Sequence, residues 1–86
     1  MADLEDVEKR VKQVTSDVLG VPVDQISNDS RFVQDLHAES IQSIELVAGF
    51  EAEFDIEMDE DEALEVKTVG DAVEFIAKYV DESEDA

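Results

Sequence analysis

The sequence contains no cysteine. Disulfides, thiolate metal sites and a cysteine nucleophile of its own are therefore excluded. Its single histidine, His37, leaves too few nitrogen ligands for a zinc or other transition-metal centre. Basic residues are scarce: 6 Lys and Arg stand against 25 Asp and Glu, a formal net charge of −19. That balance excludes electrostatic attraction to nucleic-acid phosphates or to anionic lipid surfaces, and it favours partners that carry a basic patch. No apolar run approaches the ~18 residues of a membrane span. The opening Met1-Ala2-Asp3-Leu4-Glu5-Asp6 lacks the basic and apolar regions of a secretory leader. The expectation is a soluble, cytoplasmic, monomeric chain. At 86 residues and 43% hydrophobic composition it closes one small core, with no room for a catalytic domain beside a substrate domain.

Charge is unevenly spread. Lys9, Arg10 and Lys12 cluster near the start, whereas the stretch between Arg31 and Lys67 has no basic residue and is crowded with Asp and Glu. An acidic run is either a solvated face or an anionic docking surface. A chemically special residue on the same surface decides between them.

Leu4, Val7, Val11, Val14 and Val18 recur at spacings of three and four, which predicts a helix over about residues 3–18. Asp3 is its N-cap, Gly20 closes it, and Pro22 bars continuation. Residues 19–38 are rich in turn formers yet carry Val21, Val23, Ile26, Phe32, Val33 and Leu36. A loop this long in a small domain is expected to be pinned to the core.

A second helix is predicted over about residues 40–55. Ser43, Leu46, Val47, Phe50 and Phe54 share one face, and Ile41, Ile44, Ala48 and Ala52 form a second stripe on nearly the opposite side. The second stripe either packs on a neighbouring helix or forms an exposed contact patch edged with carboxylates. Gly49 costs this helix ~1 kcal/mol relative to Ala, leaving either a more mobile helix or space beside it. A short helix over about residues 59–65 and a last one over about 69–80 follow, the latter opened by Thr68 and Asp71 at capping-box spacing. The predicted fold is all-α: a small four-helix bundle of three longer helices and one short third helix, with a long loop between helices one and two. Residues 1–80 make the domain. Residues 81–86 have almost nothing to bury and are expected to be a disordered acidic tail.

Asp55-Ile56-Glu57-Met58-Asp59 imitates the opening of a calcium-binding EF-hand loop, but Glu60 stands where the turn needs Gly and Val66 where a bidentate Glu is required. His37, Ser40 and Asp35 do not make a hydrolase, because triads draw residues from separate segments around a cleft. Ser40 matters for its position. At a helix start its hydroxyl is either an ordinary N-cap or the root of a phosphate ester, since free N–H groups and the helix dipole favour an anion there. It completes no capping box, because position 43 is another serine.

The stretch Phe32-Val33-Gln34-Asp35-Leu36-His37-Ala38-Glu39-Ser40-Ile41-Gln42-Ser43-Ile44-Glu45-Leu46-Val47, continuing to Phe50-Glu51-Ala52-Glu53-Phe54, closely resembles the acyl carrier protein family. The resemblance extends over about residues 4–80, with Leu19-Gly20-Val21 after the first helix and Thr68-Val69 opening the last. It implies that a phosphopantetheinyl transferase attaches phosphopantetheine covalently to Ser40. Acyl groups then ride as thioesters on the arm's thiol, and the chain itself catalyses nothing. It presents cargo to acyl-processing enzymes of fatty acid, lipid or polyketide biosynthesis. Glu39, Ile41, Ile44, Glu45 and Glu51 are implied to dock basic partner patches. Leu46, Val47, Phe50, Ala63, Val66 and Ala72 are implied to line an acyl pocket. The chain departs from the family pattern with His37 for Gly, Glu39 for Asp, Ile41 for Leu, and Ala48 and Ala52 on the contact face, which points to a specialised carrier. The alternative is an unmodified acidic module that binds basic protein surfaces.

Overall fold

A computed structural model describes residues 3–84 of the chain. Its elements are α1 (Leu4–Leu19), a 3₁₀ turn (Val23–Gln25), α2 (Ser40–Phe54), α3 (Glu60–Leu64) and α4 (Val69–Glu84). The described residues hold no strand, only an isolated antiparallel bridge between Arg31 and Thr68. Among the described residues no helix is long and apolar enough to cross a membrane. The all-α bundle is as predicted.

The Asp3 carboxylate caps α1 by accepting from the Glu5 and Asp6 amides at 3.1 and 3.4 Å. Gly20 ends the helix at φ 71. Val7, Val11 and Val14 are buried, and α1 packs against both α2 and α4. Arg10 ties α1 to the end of α2: its guanidinium donates to the Glu53 carbonyl at 2.6 Å and to the Glu53 carboxylate at 2.8 Å, and lies 4.4 Å from the Phe54 ring centroid. A cation is well placed at that helix end, where carbonyls lack intrahelical partners.

The long connection is pinned at both ends. Ile26, Phe32, Leu36 and Ala38 are buried and do the pinning, while Val23 and Val33 are exposed. The loop also supplies hydrogen bonds that α4 needs. The Val69 amide donates to the Ser30 carbonyl (3.0 Å), the Gly70 amide to the Asn28 carbonyl (2.8 Å) and the Asp71 amide to Thr68 Oγ1 (3.1 Å). These are the first N–H groups of α4, which no helix can satisfy internally. A Cβ at Gly70 would lie 3.0 Å from the Asn28 carbonyl oxygen, so the glycine is what lets loop and helix meet.

Asp35 closes the last turn before α2. Its carboxylate accepts from the Arg31 amide at 2.8 Å and from Arg31 Nε at 3.2 Å. The Arg31 side chain, and then the Arg31 amide, hold the Asp35 carboxyl below its ordinary range. What this carboxylate adds to stability is present at neutral pH and lost as the pH falls through the depressed value. His37 follows with φ 60, a left-handed conformation. The family's usual glycine there has a physical reason, since only Gly adopts it freely.

Two expectations need correction. No space lies beside Gly49: a Cβ built there would sit 2.9 Å from Val14 Cγ1, so the glycine permits close approach of α1 and α2. The last helix runs on to Glu84 rather than stopping at Val80, because Asp81-Glu82-Ser83-Glu84 contains no Gly or Pro to break it. Residues 85 and 86 of the expected tail lie outside the described residues.

Gly49→Ala is expected to lower stability by about 1 kcal/mol in denaturant unfolding, as overpacking against a stiff valine outweighs the gain in helix propensity. In a Val14→Ala background the same substitution should be stabilising. His37→Gly should gain roughly 0.5 kcal/mol and His37→Val lose roughly 1 kcal/mol, following the cost of the left-handed conformation.

Candidate functional site

The start of α2 is delivered by the pinned loop. Glu39, not Ser40, is the N-cap, and Gln42 closes the capping arrangement by accepting the Glu39 amide on Oε1 at 2.9 Å. Ser40 is thus the first helical residue. The sequence left Ser40 as either an ordinary cap or the root of a phosphate ester, with no capping-box partner at position 43; one residue earlier, Glu39 and Gln42 carry the signal.

Ser40 is exposed, and its hydroxyl has no protein hydrogen bond among the described residues. Its surroundings differ from those of the other helix starts. The first turn of α1 holds Glu5 and Asp6, that of α3 Glu60, Asp61 and Glu62, and that of α4 Asp71, whereas the first turn of α2 holds no acidic residue. The Glu39 cap takes up one amide at this end, and no carboxylate of the first turn competes for the remaining free N–H groups. The free hydroxyl and the acid-free turn suit a phosphodiester on Ser40.

Beyond Ser40, the second apolar stripe faces solvent. Ile41 is 66% and Ile44 52% exposed, and Ala48 and Ala52 are exposed with them. The choice left open by the sequence falls to a surface patch. Exposed Glu39 and Glu45 border it. Glu51 stands apart: it is half-buried, and its carboxylate accepts the Met58 amide at 2.8 Å. That bond holds the α2–α3 connection, so Glu51 does not join the exposed carboxylates. The EF-hand imitation dissolves likewise. Ile56 and Met58 are buried in the core, Asp55 ends α2 at φ 54, and the Asp59 carboxylate caps α3 by accepting the Glu62 amide at 3.1 Å.

On the other face of α2 lies a cavity of about 80 Å³. Leu46, Val47, Phe50, Ala63, Val66 and Ala72 all line it. The sequence reading did not place Phe32, Met58, Phe75 and Ile76 there, although they complete the wall, nor Ser43, which lies one turn along α2 from Ser40. Val33, Gln34, Leu64 and Lys67 are the exposed residues at its mouth. Periodicity along one helix does not show which loop residues close such a space.

Residues 9–76 match the family model described as "Phosphopantetheine attachment site". The chain is 44% identical over 75 residues to the acyl carrier protein of Sinorhizobium fredii (strain NBRC 101917 / NGR234), an alignment that covers 87% of this chain and 96% of that one. It is equally 44% identical over 75 residues, with the same coverage, to acyl carrier protein AcpP of Rhizobium meliloti (strain 1021). With its helical bundle, its solvent-facing serine in the first turn of α2 and these likenesses, the chain belongs to the acyl carrier protein family, whose members bear phosphopantetheine and act as carriers rather than catalysts.

Proposed function

We propose that Ser40 is the residue that bears the phosphopantetheine arm, and that the chain presents acyl thioesters on it to enzymes of fatty acid, lipid or polyketide biosynthesis. The observation that carries this reading is the start of α2. In a molecule of net charge −19, the first turn of α2 beyond its Glu39 cap holds no acidic residue, and it opens on an unbonded, exposed serine hydroxyl. An anionic arm gains from the N–H groups that the Glu39 cap leaves unpaired and from the dipole there. The bound arm supplies a thiol on which acyl groups travel, consistent with a chain that has no cysteine of its own. The chain's residues do the rest: Glu39 and Gln42 set the helix start, and the Asp35–Arg31 turn holds it outward.

Docking falls to Ile41 and Ile44 as an apolar centre with Glu39 and Glu45 at the rim, a pattern suited to a small, transient interface with a basic enzyme face. Glu45 steers; Glu51 acts through the fold. The departures Ile41, Ala48 and Ala52 all lie on this exposed stripe, which supports a partner set distinct from that of a carrier with the usual residues there. The cavity shelters the acyl group. Its volume of about 80 Å³ is roughly half that of a ~150 Å³ cavity that admits benzene. Short groups therefore fit without rearrangement, and longer ones require α2 and α3 to part.

Incubation with coenzyme A, magnesium and a broad-specificity transferase should add one phosphopantetheine by intact mass, and Ser40→Ala should abolish the gain. A gain that survives Ser40→Ala would contradict the assignment. Glu45→Lys should slow association with the transferase about tenfold at low salt, with the deficit shrinking as salt screens it. Stopped-flow association rates measured across ionic strength check this. Glu51→Lys should instead lower thermal stability.

A further inference from the structure

The cavity has an apolar wall, and beside Val33 and Leu64 its mouth carries the polar Gln34 and the cationic Lys67. Leu46, Phe50 and Ile76 are buried within it, while Gln34 and Lys67 are exposed at its opening. Lys67 is the only cation between Arg31 and Lys78. Arg10, Lys12 and Arg31 each pair with a carboxylate, yet Lys67 forms no ion pair among the described residues despite the surplus of acids. Its backbone is fixed, since its carbonyl accepts the Phe32 amide at 3.0 Å next to the Arg31–Thr68 bridge. A long side chain thus rises from a rigid root at the opening.

We propose that Lys67, with Gln34, selects cargo that carries an oxygen on the carbon β to the thioester, over saturated cargo of the same length. This rests on the carrier reading above. The cavity lies near the anchor, because Ser43 in its lining is three residues along α2 from Ser40, a rise of ~4.5 Å. An acyl group entering from that side leaves its thioester and β-carbon at the opening and buries its tail. The wall suits the tail, since it offers no charge. The mouth suits the β-oxygen, since Lys67 and Gln34 are donors in need of an acceptor. Ser43 adds little as a donor, for its hydroxyl already donates to the Glu39 carbonyl at 3.4 Å. A saturated chain leaves those donors to water and gains nothing from them. A hydrogen bond to a charged group is stronger than a neutral one, and at an open mouth we expect roughly a fivefold preference.

The test loads the arm with butyryl or β-hydroxybutyryl and first checks by intact mass that each is attached. Amide chemical shifts of Leu46, Ala63 and Ala72 then report how much of each group occupies the cavity. The expected result is roughly fivefold higher occupancy for β-hydroxybutyryl. That preference should be retained in Lys67→Arg and lost in Lys67→Met, with both variants melting near the unsubstituted protein. Equal occupancy in the unsubstituted protein would overturn the proposal. So would a preference unchanged in Lys67→Met, which would mean that the lysine stem merely covers apolar surface at the rim. Failure of the arm to attach at all would overturn the carrier reading itself.

Discussion

The carbonyls of Asn28 and Ser30 close the first turn of α4, and much of the molecule's arrangement depends on that junction. It converts a connection of some twenty residues from a free loop into a strap lying on the bundle, with Ile26, Phe32, Leu36 and Ala38 as its apolar anchors. The helix gains partners for N–H groups it could not satisfy internally, and the loop gains a fixed course. That course determines where α2 begins, and therefore which serine stands at its positive end. Local order at the site is built from far along the chain.

Electrostatics then separates the helix starts. With a net charge of −19 the chain repels itself, and several of its carboxylates are placed where a helix dipole or an amide takes up part of that cost. Asp3 and Asp59 cap helices, Asp35 closes a turn, and Glu51 holds the α2–α3 connection. The start of α2 is treated differently. Beyond the Glu39 cap its first turn carries no acid, so unpaired N–H groups remain there for an anion from outside the chain. The exposed Ile41–Ile44 stripe lies along the same helix, which puts the anchor and the contact surface on one rigid element.

Much of this was legible in the sequence. The three-and-four spacing of valines gave α1, and the two apolar stripes of α2 were correctly separated, although periodicity alone could not say which one faced solvent. What escaped the reading depends on contacts distant in sequence. Gly49 reads as a weak point until Val14 is seen 2.9 Å from where its Cβ would be. Glu51 reads as one more surface acid until Met58 is found donating to it. His37 reads as an unusual substitution for glycine, and its φ of 60 explains why glycine is usual there. The end of α4 was misplaced because low hydrophobicity was taken to mean loss of helix, whereas Asp81-Glu82-Ser83-Glu84 lacks a breaker.

The central claim concerns which hydroxyl anchors the arm, and the sequence provides a stringent comparison. Ser40 and Ser43 lie in the same tryptic peptide, since no Lys or Arg occurs between Arg31 and Lys67. Ser43 is half-buried and its hydroxyl donates to the Glu39 carbonyl, whereas Ser40 is exposed and unbonded. Fragmentation mass spectrometry of that peptide, from protein purified from its own cells, should place phosphopantetheine on Ser40 alone. Its location on Ser43, or an unmodified peptide in cells that otherwise make the cofactor, would contradict the account.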